Sequence, residues 1–295
     1  MTDGILVLDK PQGWTSHDVV AKVRRLTGIR RVGHTGTLDP MATGVLILCV
    51  GRATRVAEYM AGHDKRYTAT IHLGVETDTY DAHGQAVLQQ AVDVSEADLR
   101  GALQAFVGEI RQVPPMFSAI KQNGRKLYTL ARQGIQVARE PRAVKIYAID
   151  AIAFDLPHVT VDVRCSAGTY MRSLAHDLGQ VLGCGAYLAD LRRTASGEFT
   201  LDQAIPLDAL EMAVTGGTWA ALLHPLDAAL RQFPALTLNP NDARRAQQGL
   251  ALAGKPDLAA DFIRAYDQSG QLIGLLHFDR TRNELRPGKI LAGER

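Results

Sequence analysis

Asp39 has the neighbours that a working carboxylate needs. It lies in Gly33-His34-Thr35-Gly36-Thr37-Leu38-Asp39-Pro40-Met41-Ala42-Thr43-Gly44-Val45-Leu46, a stretch with three glycines, one histidine and one acidic residue. Gly33, Gly36 and Gly44 permit backbone conformations closed to other residues and let a substrate approach the main chain, while Pro40 fixes the turn after Asp39. The carboxylate is therefore expected to be held rather than mobile. Behind it, Val45 to Val50 is a continuous apolar run of the kind that forms a fully buried strand, a rigid support for a catalytic group. On these residues alone Asp39 could also be a helix N-cap or Asx-turn residue, with Pro40 at the first helical position.

Two more side chains carry possible chemistry. Val159 to Cys165 alternates as a strand and leads into Ser166-Ala167-Gly168-Thr169-Tyr170-Met171-Arg172-Ser173-Leu174. Thr169 is expected to cap a helix that turns Leu174, Leu178 and Val181 inward, which puts Arg172 in the first turn. A cation there opposes the helix dipole, so Arg172 calls for a carboxylate or phosphate partner. Tyr67 begins the core-facing row Tyr67, Ala69, Ile71 and Leu73 of an alternating strand, where packing is the ordinary role. His34 to Leu38 looks like part of the phosphorylation loop of P-type ATPases, but that loop needs an aspartate ahead of a Lys-Thr-Gly-Thr run and neither the aspartate nor the lysine is here. No Lys-Ser or Lys-Thr follows the glycines, so this is not a phosphate-binding P-loop. The acidic stretch from Gly74 to Gly84 does not match an EF-hand calcium loop.

Nearly residue for residue, the Asp39 segment resembles the catalytic loop of the TruB family of tRNA pseudouridine synthases, and motifs along most of the chain follow in the same order. The resemblance implies an α/β (α+β) pseudouridine-synthase fold with a mixed, largely antiparallel sheet flanked by helices, and isomerisation of a uridine in the T-arm loop of tRNA. It makes Asp39 the catalytic carboxylate, acting on the ribose at C1′ or at the C2′ proton. Gly-Thr-Tyr-x-Arg at 168 to 172 matches the second signature, in which Arg172 pairs with that carboxylate and Tyr170 lies at the substrate. Tyr67 becomes the tyrosine against the target uracil and the candidate acceptor of its C5 proton. His34 fills the gap left by a flipped-out nucleotide. Lys10, in Lys10-Pro11, supports the site. Asp78 belongs to a substrate-positioning Thr-Asp-Thr segment. Leu191, in the third match Leu191-Arg192-Arg193, helps to exclude water. No cofactor or metal is implied, and no protein partner is required. Alternatives are a tRNA-folding chaperone with secondary catalysis, and a guide-RNA-dependent synthase of the archaeal and eukaryotic type, whose terminal extensions are not expected here.

Composition agrees with an ordinary soluble protein: 295 residues, 46% hydrophobic and 22% charged, suggest about two domains with ample core. With a net charge of only +2, RNA binding requires local clusters of cations. Candidates are Lys22, Arg24, Arg25, Arg30 and Arg31; Lys121, Arg125 and Lys126; Arg192 and Arg193; and Arg244 and Arg245. Three scattered cysteines without metal-ligand spacing fit a reducing compartment, so a cytoplasmic location is expected, with no signal peptide and no membrane-spanning run.

The elements that must hold these residues read as follows. Ile5 to Leu8 is a strand running into Lys10. Ser16 is expected to cap a helix with Val19, Val20, Val23 and Leu26 on one stripe and Gly28 as its stop. A short helix spans Thr54 to Met60, and another starts at Ser95 with Asp98 three residues on and ends at Gly108. Near 113–140 prolines, basic residues and aromatics such as Tyr128 mix, which suits a nucleic-acid-contacting excursion or an ordinary hairpin flap over the core; the resemblance implies an RNA-gripping insertion there. The catalytic domain is expected over 1–231. Short β-like pieces separated by turn signals, Asn239-Pro240 among them, imply a β-rich domain over 232–295; it resembles the PUA-type RNA-binding domain of many family members, and an OB-like barrel or a structural cap would read alike.

Overall fold

The computed structural model describes residues 2–292 except Ala119, Asn123, Arg132, Gln136 and 255–259. Of the expected RNA-gripping stretch, those first four residues lie outside the description, as do the side chains of Lys121 and Lys126 from the second basic cluster.

The main sheet is built from β1 (Gly4–Lys10), β2 (Thr43–Val50), β3 (Lys65–Leu73), β4 (Gly108–Gln112), β5 (Arg142–Asp155), β6 (His158–Cys165) and β7 (Ala186–Ser196), in the spatial order β1-β2-β7-β3-β6-β5-β4. Every neighbour pair is antiparallel except β2 with β7, where Thr43 and Gly44 lie beside Arg192 and Arg193. The expected mixed, largely antiparallel sheet is therefore present. β2 is buried from Gly44 to Val50, as its unbroken apolar run requires, and β3 alternates, with Tyr67, Ala69, Ile71 and Leu73 all buried.

Helices flank this sheet. In α1 (Ser16–Thr27), Val19, Val20 and Val23 face the core and Gly28 ends the helix at φ 71°. The N-cap is Thr15 rather than Ser16: Thr15 and Asp18 form a reciprocal capping box, and Ser16 turns inward to accept from Leu38 N and donate to Leu38 O. Thr54 to Met60 is not one helix, because a 3-10 turn over Gly51–Arg55 precedes a short helix over Ala57–Ala61. In α2 (Glu96–Gln104) Ser95 and Asp98 form the expected box, but the helix closes at Ala105 and Gly108 opens β4. In α3 (Met171–Leu182) Leu174 and Leu178 are buried, whereas Val181 is 59% exposed. Tyr170, not Thr169, is its N-cap and makes no side-chain capping bond; Thr169 Oγ1 instead donates to Ser166 O, closing the turn before the helix.

The C-terminal part is β-rich. It has β8 (Ala235–Thr237), β9 (Leu252–Ala253), β10 (Phe262–Tyr266), β11 (Leu272–Asp279) and β12 (Glu284–Ile290), ordered β8-β10-β11-β12-β9. Asn239-Pro240, read from sequence as a turn, starts a helix over Pro240–Gln247, with Asn239 capping Asp242 N and proline at the first position. One apolar cluster spans both sheets: Ile5, Val7, Ile47 and Phe199 pack with Leu275 and Leu291. Arg52 and Arg55 donate to the carbonyls of Leu291 and Ile290, and Lys289 pairs with Glu58. No helix among the described residues is long and apolar enough to cross a membrane.

Candidate active site

The parallel β2–β7 join places the loop before β2, the third-motif residues of β7 and the N-terminus of α3 around one cleft of about 910 Å³. Asp39, Tyr67, Asp78, Tyr170, Arg172 and Leu191 line it, so six of the eight sequence-predicted site residues converge. Asp39 is the centre. Its Oδ2 is 3.0 Å from Arg172 Nε and its Oδ1 accepts from Arg172 Nη2 at 3.3 Å, the side-by-side geometry of a guanidinium fork on a carboxylate. Arg172 is buried and also donates from Nη2 to Phe117 O at 2.8 Å. Desolvation by the cleft wall pushes the Asp39 carboxyl above its ordinary value; Arg172 pulls the other way and a second carboxylate, Asp81, adds to the push.

Asp81 is the residue that sequence reasoning missed. It is 5% exposed, with Oδ2 3.6 Å from Arg172 Nη1, while Oδ1 accepts from Thr79 Oγ1 at 2.7 Å and from His83 N at 3.0 Å. Arg172 therefore stands between two carboxylates. Asp78, chosen from sequence in the same acidic segment, is exposed and accepts from Gln85 N at 2.8 Å, closing the turn at the cleft edge.

Tyr67 is buried, and its phenol is pushed up from its ordinary value by desolvation, with Arg193 opposing. Arg193 faces Tyr67 across the β3–β7 pairing. Its guanidinium is buried and donates to three carbonyls, those of Val45 (2.7 Å), Gly36 (3.0 Å) and Thr37 (3.4 Å), so it ties down the loop two residues ahead of Asp39. Backbone comes close here as well: a Cβ on Gly44, which has φ 98°, would lie 2.2 Å from Arg193 O. Lys65, also in the cleft wall, is lowered to about 8 by burial and donates to the carbonyls of Ala61 and His63.

Lys10 and His34 are not in the lining. Lys10 is fully buried under the loop and donates from Nζ to the carbonyls of Trp14 (2.6 Å), Pro11 (2.9 Å) and Pro40 (3.3 Å); burial lowers it to about 8. It braces the turn beside Asp39 without reaching the cleft. His34 stands behind the mouth, edge-on to His17 with ring centroids 5.2 Å apart, and His17 does line the cleft. Burial first, then the charges of His17 and Arg193, lowers His34 to about 4, so it is neutral near pH 7. Tyr170 exchanges two hydrogen bonds with Gln112, one donated by its N–H to Gln112 Oε1 and one accepted by its carbonyl from Gln112 Nε2, which fixes the start of α3. Leu191 is 5% exposed and supplies apolar wall.

The arrangement is a carboxylate held by an arginine in a partly desolvated cleft, with a buried tyrosine and apolar groups around it. That set can act on a sugar carbon or proton and shield the product from water. Among the described residues there is no cluster of histidine, cysteine and acidic side chains that could hold a metal ion.

Comparison with known proteins gives the same reading. Residues 24–171 match the TruB family pseudouridylate synthase N terminal domain, and 172–231 match the tRNA pseudouridylate synthase B C-terminal domain. A tRNA pseudouridine synthase B of Thiobacillus denitrificans is 45% identical over 290 residues, 98% of this chain and 96% of that protein. One of Ralstonia nicotianae is 47% identical over 273 residues, 91% and 87% of the two chains. Among solved structures, a chain of a Cbf5-Nop10-Gar1 complex superposes with a TM-score of 0.76 at 26% identity, covering 99% of this chain and 85% of that one. A chain of an H/ACA RNP bound to a substrate RNA containing 2′-deoxyuridine gives 0.75 at 26% identity, covering 98% and 85%. With both family models matching end to end across 24–231, and relatives at this identity spanning nearly the full length, the chain belongs to the TruB family of pseudouridylate synthases.

Proposed function

We propose that this chain isomerises a uridine in the T-arm loop of tRNA to pseudouridine. The observation that carries the reading is the Asp39–Arg172 pair in the wall of the cleft, with Tyr67 lining the same space. The reaction breaks the bond from uracil N1 to ribose C1′, turns the base, forms the bond from C5 to C1′, releases the C5 proton and leaves N1 carrying one. Electrons balance without an oxidant or reductant. Asp39 acts on the ribose, attacking C1′ or removing the C2′ proton, and Arg172 holds it ionised and oriented against the cost of desolvation. Tyr67 lies against the base and receives the C5 proton, directly or through water. Leu191 keeps water from the opened glycosidic bond. The target uridine must leave the loop to reach the cleft, and His34 fills the space it vacates.

Residues 1–231 carry this chemistry in our reading, and 232–295 form a β-rich RNA-binding domain of the PUA type. The reaction takes place in the cytoplasm with no required protein partner. The guide-dependent alternative has weaker support, since the Cbf5-type neighbours are 26% identical and the synthase B relatives 45–47%. The experiment is to give the purified protein alone a T-arm hairpin labelled with tritium at uridine C5. Release of label into water is expected; none, with RNA bound, would sink the reading.

A further inference from the structure

The acidic segment Val75 to Gly84 meets α3 through Glu76, which accepts from Gln180 Nε2, and through two consecutive residues, Tyr80 and Asp81. Tyr80 lays its ring on that of His176, centroids 3.9 Å apart and planes 12° from parallel. The next residue, Asp81, directs Oδ2 at Arg172 Nη1. Arg172 and His176 are four positions apart on the helix and so share one face. On its other side the segment is tied to β7, where Leu188 N donates to Tyr80 O at 3.0 Å and Ala82 N donates to Leu188 O at 3.1 Å.

Tyr80 holds this place in a conformation that a bulky residue rarely adopts. Its φ is 63°, in the left-handed region, and such a residue persists only where its surroundings hold it. Asn283 is the other described non-glycine residue with positive φ, and asparagine tolerates that region where tyrosine does not. Backbone bonds hold Tyr80 from one side, with Tyr80 N donating to Thr77 O and Leu188 N to Tyr80 O, and the stack holds it from the other. His176 Nδ1 is buried without a hydrogen-bond partner, so its ring face is what the imidazole offers Tyr80. Asp81 in turn depends on where this backbone puts it. At 3.6 Å its contact with Arg172 is charge attraction beyond the usual hydrogen-bond range, so the direction of Oδ2 is set by the two bonds that Oδ1 accepts within the segment and by the backbone that carries them.

We propose that the Tyr80–His176 stack sets the position of Asp81 against Arg172 and, through Arg172, the orientation of the Asp39 carboxylate. Tyr80 and His176 are positioning residues for the isomerisation and do not touch the substrate. This inference rests on the functional reading above.

The test uses the full chain, with the single-turnover rate of tritium release, RNA affinity and thermal unfolding measured for each variant. Tyr80→Phe and His176→Phe keep two stacked rings and are expected to stay within about twofold of wild type. Tyr80→Gly suits the backbone but removes the ring, and His176→Ala removes its partner; each is expected to slow release roughly ten- to a hundredfold with RNA affinity unchanged, as for a small misplacement of a reacting group. The acidic limb of the rate should move to lower pH in both, because an Asp81 that drifts away pushes less on Asp39. In an Asp81→Asn background the Tyr80→Gly loss should vanish, since both changes act through one contact. Undiminished loss in that background, an unshifted acidic limb, or a fully active Tyr80→Gly would overturn the proposal. Wild-type protein that releases no label would overturn the functional reading instead.

Discussion

Arg172 and Asp39, 133 positions apart in sequence, meet through two guanidinium nitrogens and both carboxylate oxygens. The planar fork fixes the direction of the carboxylate as well as its charge, which an ammonium would not do. Arg172→Lys is therefore expected to lower the single-turnover rate at least about a hundredfold, equivalent to roughly 3 kcal/mol of lost transition-state stabilisation, with RNA affinity changed only a few-fold. Asp39→Asn should abolish release and also leave affinity within a few-fold. Near-normal turnover by either variant would reduce the pair to a structural contact.

The pH profile follows from the two carboxylates on Arg172. Desolvation and Asp81 raise Asp39, so ionised Asp39 is lost on acidification at a higher pH than for an exposed aspartate, which titrates near 3.9. The acidic limb of kcat/KM is expected above that value. Asp81→Asn removes a like charge, favours the ionised form of Asp39 and should shift the limb downward. An upward shift would show that the two carboxylates do not share Arg172 in solution.

Lys10 separates a support role from a binding role. Lys10→Met leaves the carbonyls of Pro11, Trp14 and Pro40 without their buried donor, a cost of about 1–3 kcal/mol to folding. A lower thermal midpoint with RNA affinity within a few-fold is the expected result. A large affinity loss without destabilisation would mean that Lys10 leaves its carbonyls to reach RNA.

Removing the C-terminal part tests where affinity resides. A fragment ending at 231 uncovers the apolar groups that Leu275 and Leu291 now pack against, and it frees Arg52 and Arg55 from their carbonyl partners. It is expected to unfold at lower temperature than the full chain, yet below that transition to keep single-turnover chemistry within about tenfold, with weaker RNA binding and a shallower salt dependence. Unchanged affinity and salt slope would make the C-terminal part a structural cap.

Sequence periodicity located the supports of the site more readily than the contacts within it. The row Tyr67, Ala69, Ile71 and Leu73 faces the core as read, because alternation with one buried face leaves one register. Asp81 escaped detection because the choice between Asp78 and Asp81 is made by a left-handed turn at Tyr80 that no local propensity favours. Arg193 read as one of two cations of a candidate RNA-binding cluster; that it is buried and spent on the Asp39 loop is decided by β2 lying beside β7, a neighbour nearly 150 residues away. The helix at Pro240 was missed because Asn-Pro serves equally as a turn and as a helix start. Glycines and proline marked the Asp39 loop as constrained whatever it packs against, while the choice between a capping and a working carboxylate came from the resemblance and not from those residues.

The one parallel join of the main sheet also sets when the enzyme becomes competent. Thr43 lies beside Arg192, whose Nη1 donates to Thr43 Oγ1 across 149 positions of chain. Such a contact cannot form until the long intervening loop has closed, and closure of that kind delays folding. During synthesis the Asp39 loop leaves the ribosome with β1 and β2, long before Arg172 and β7 exist to hold it. The N-terminal third is therefore born with its carboxylate unguarded and its sheet edge open, and activity is expected to switch on in a single late step once the chain has passed residue 196.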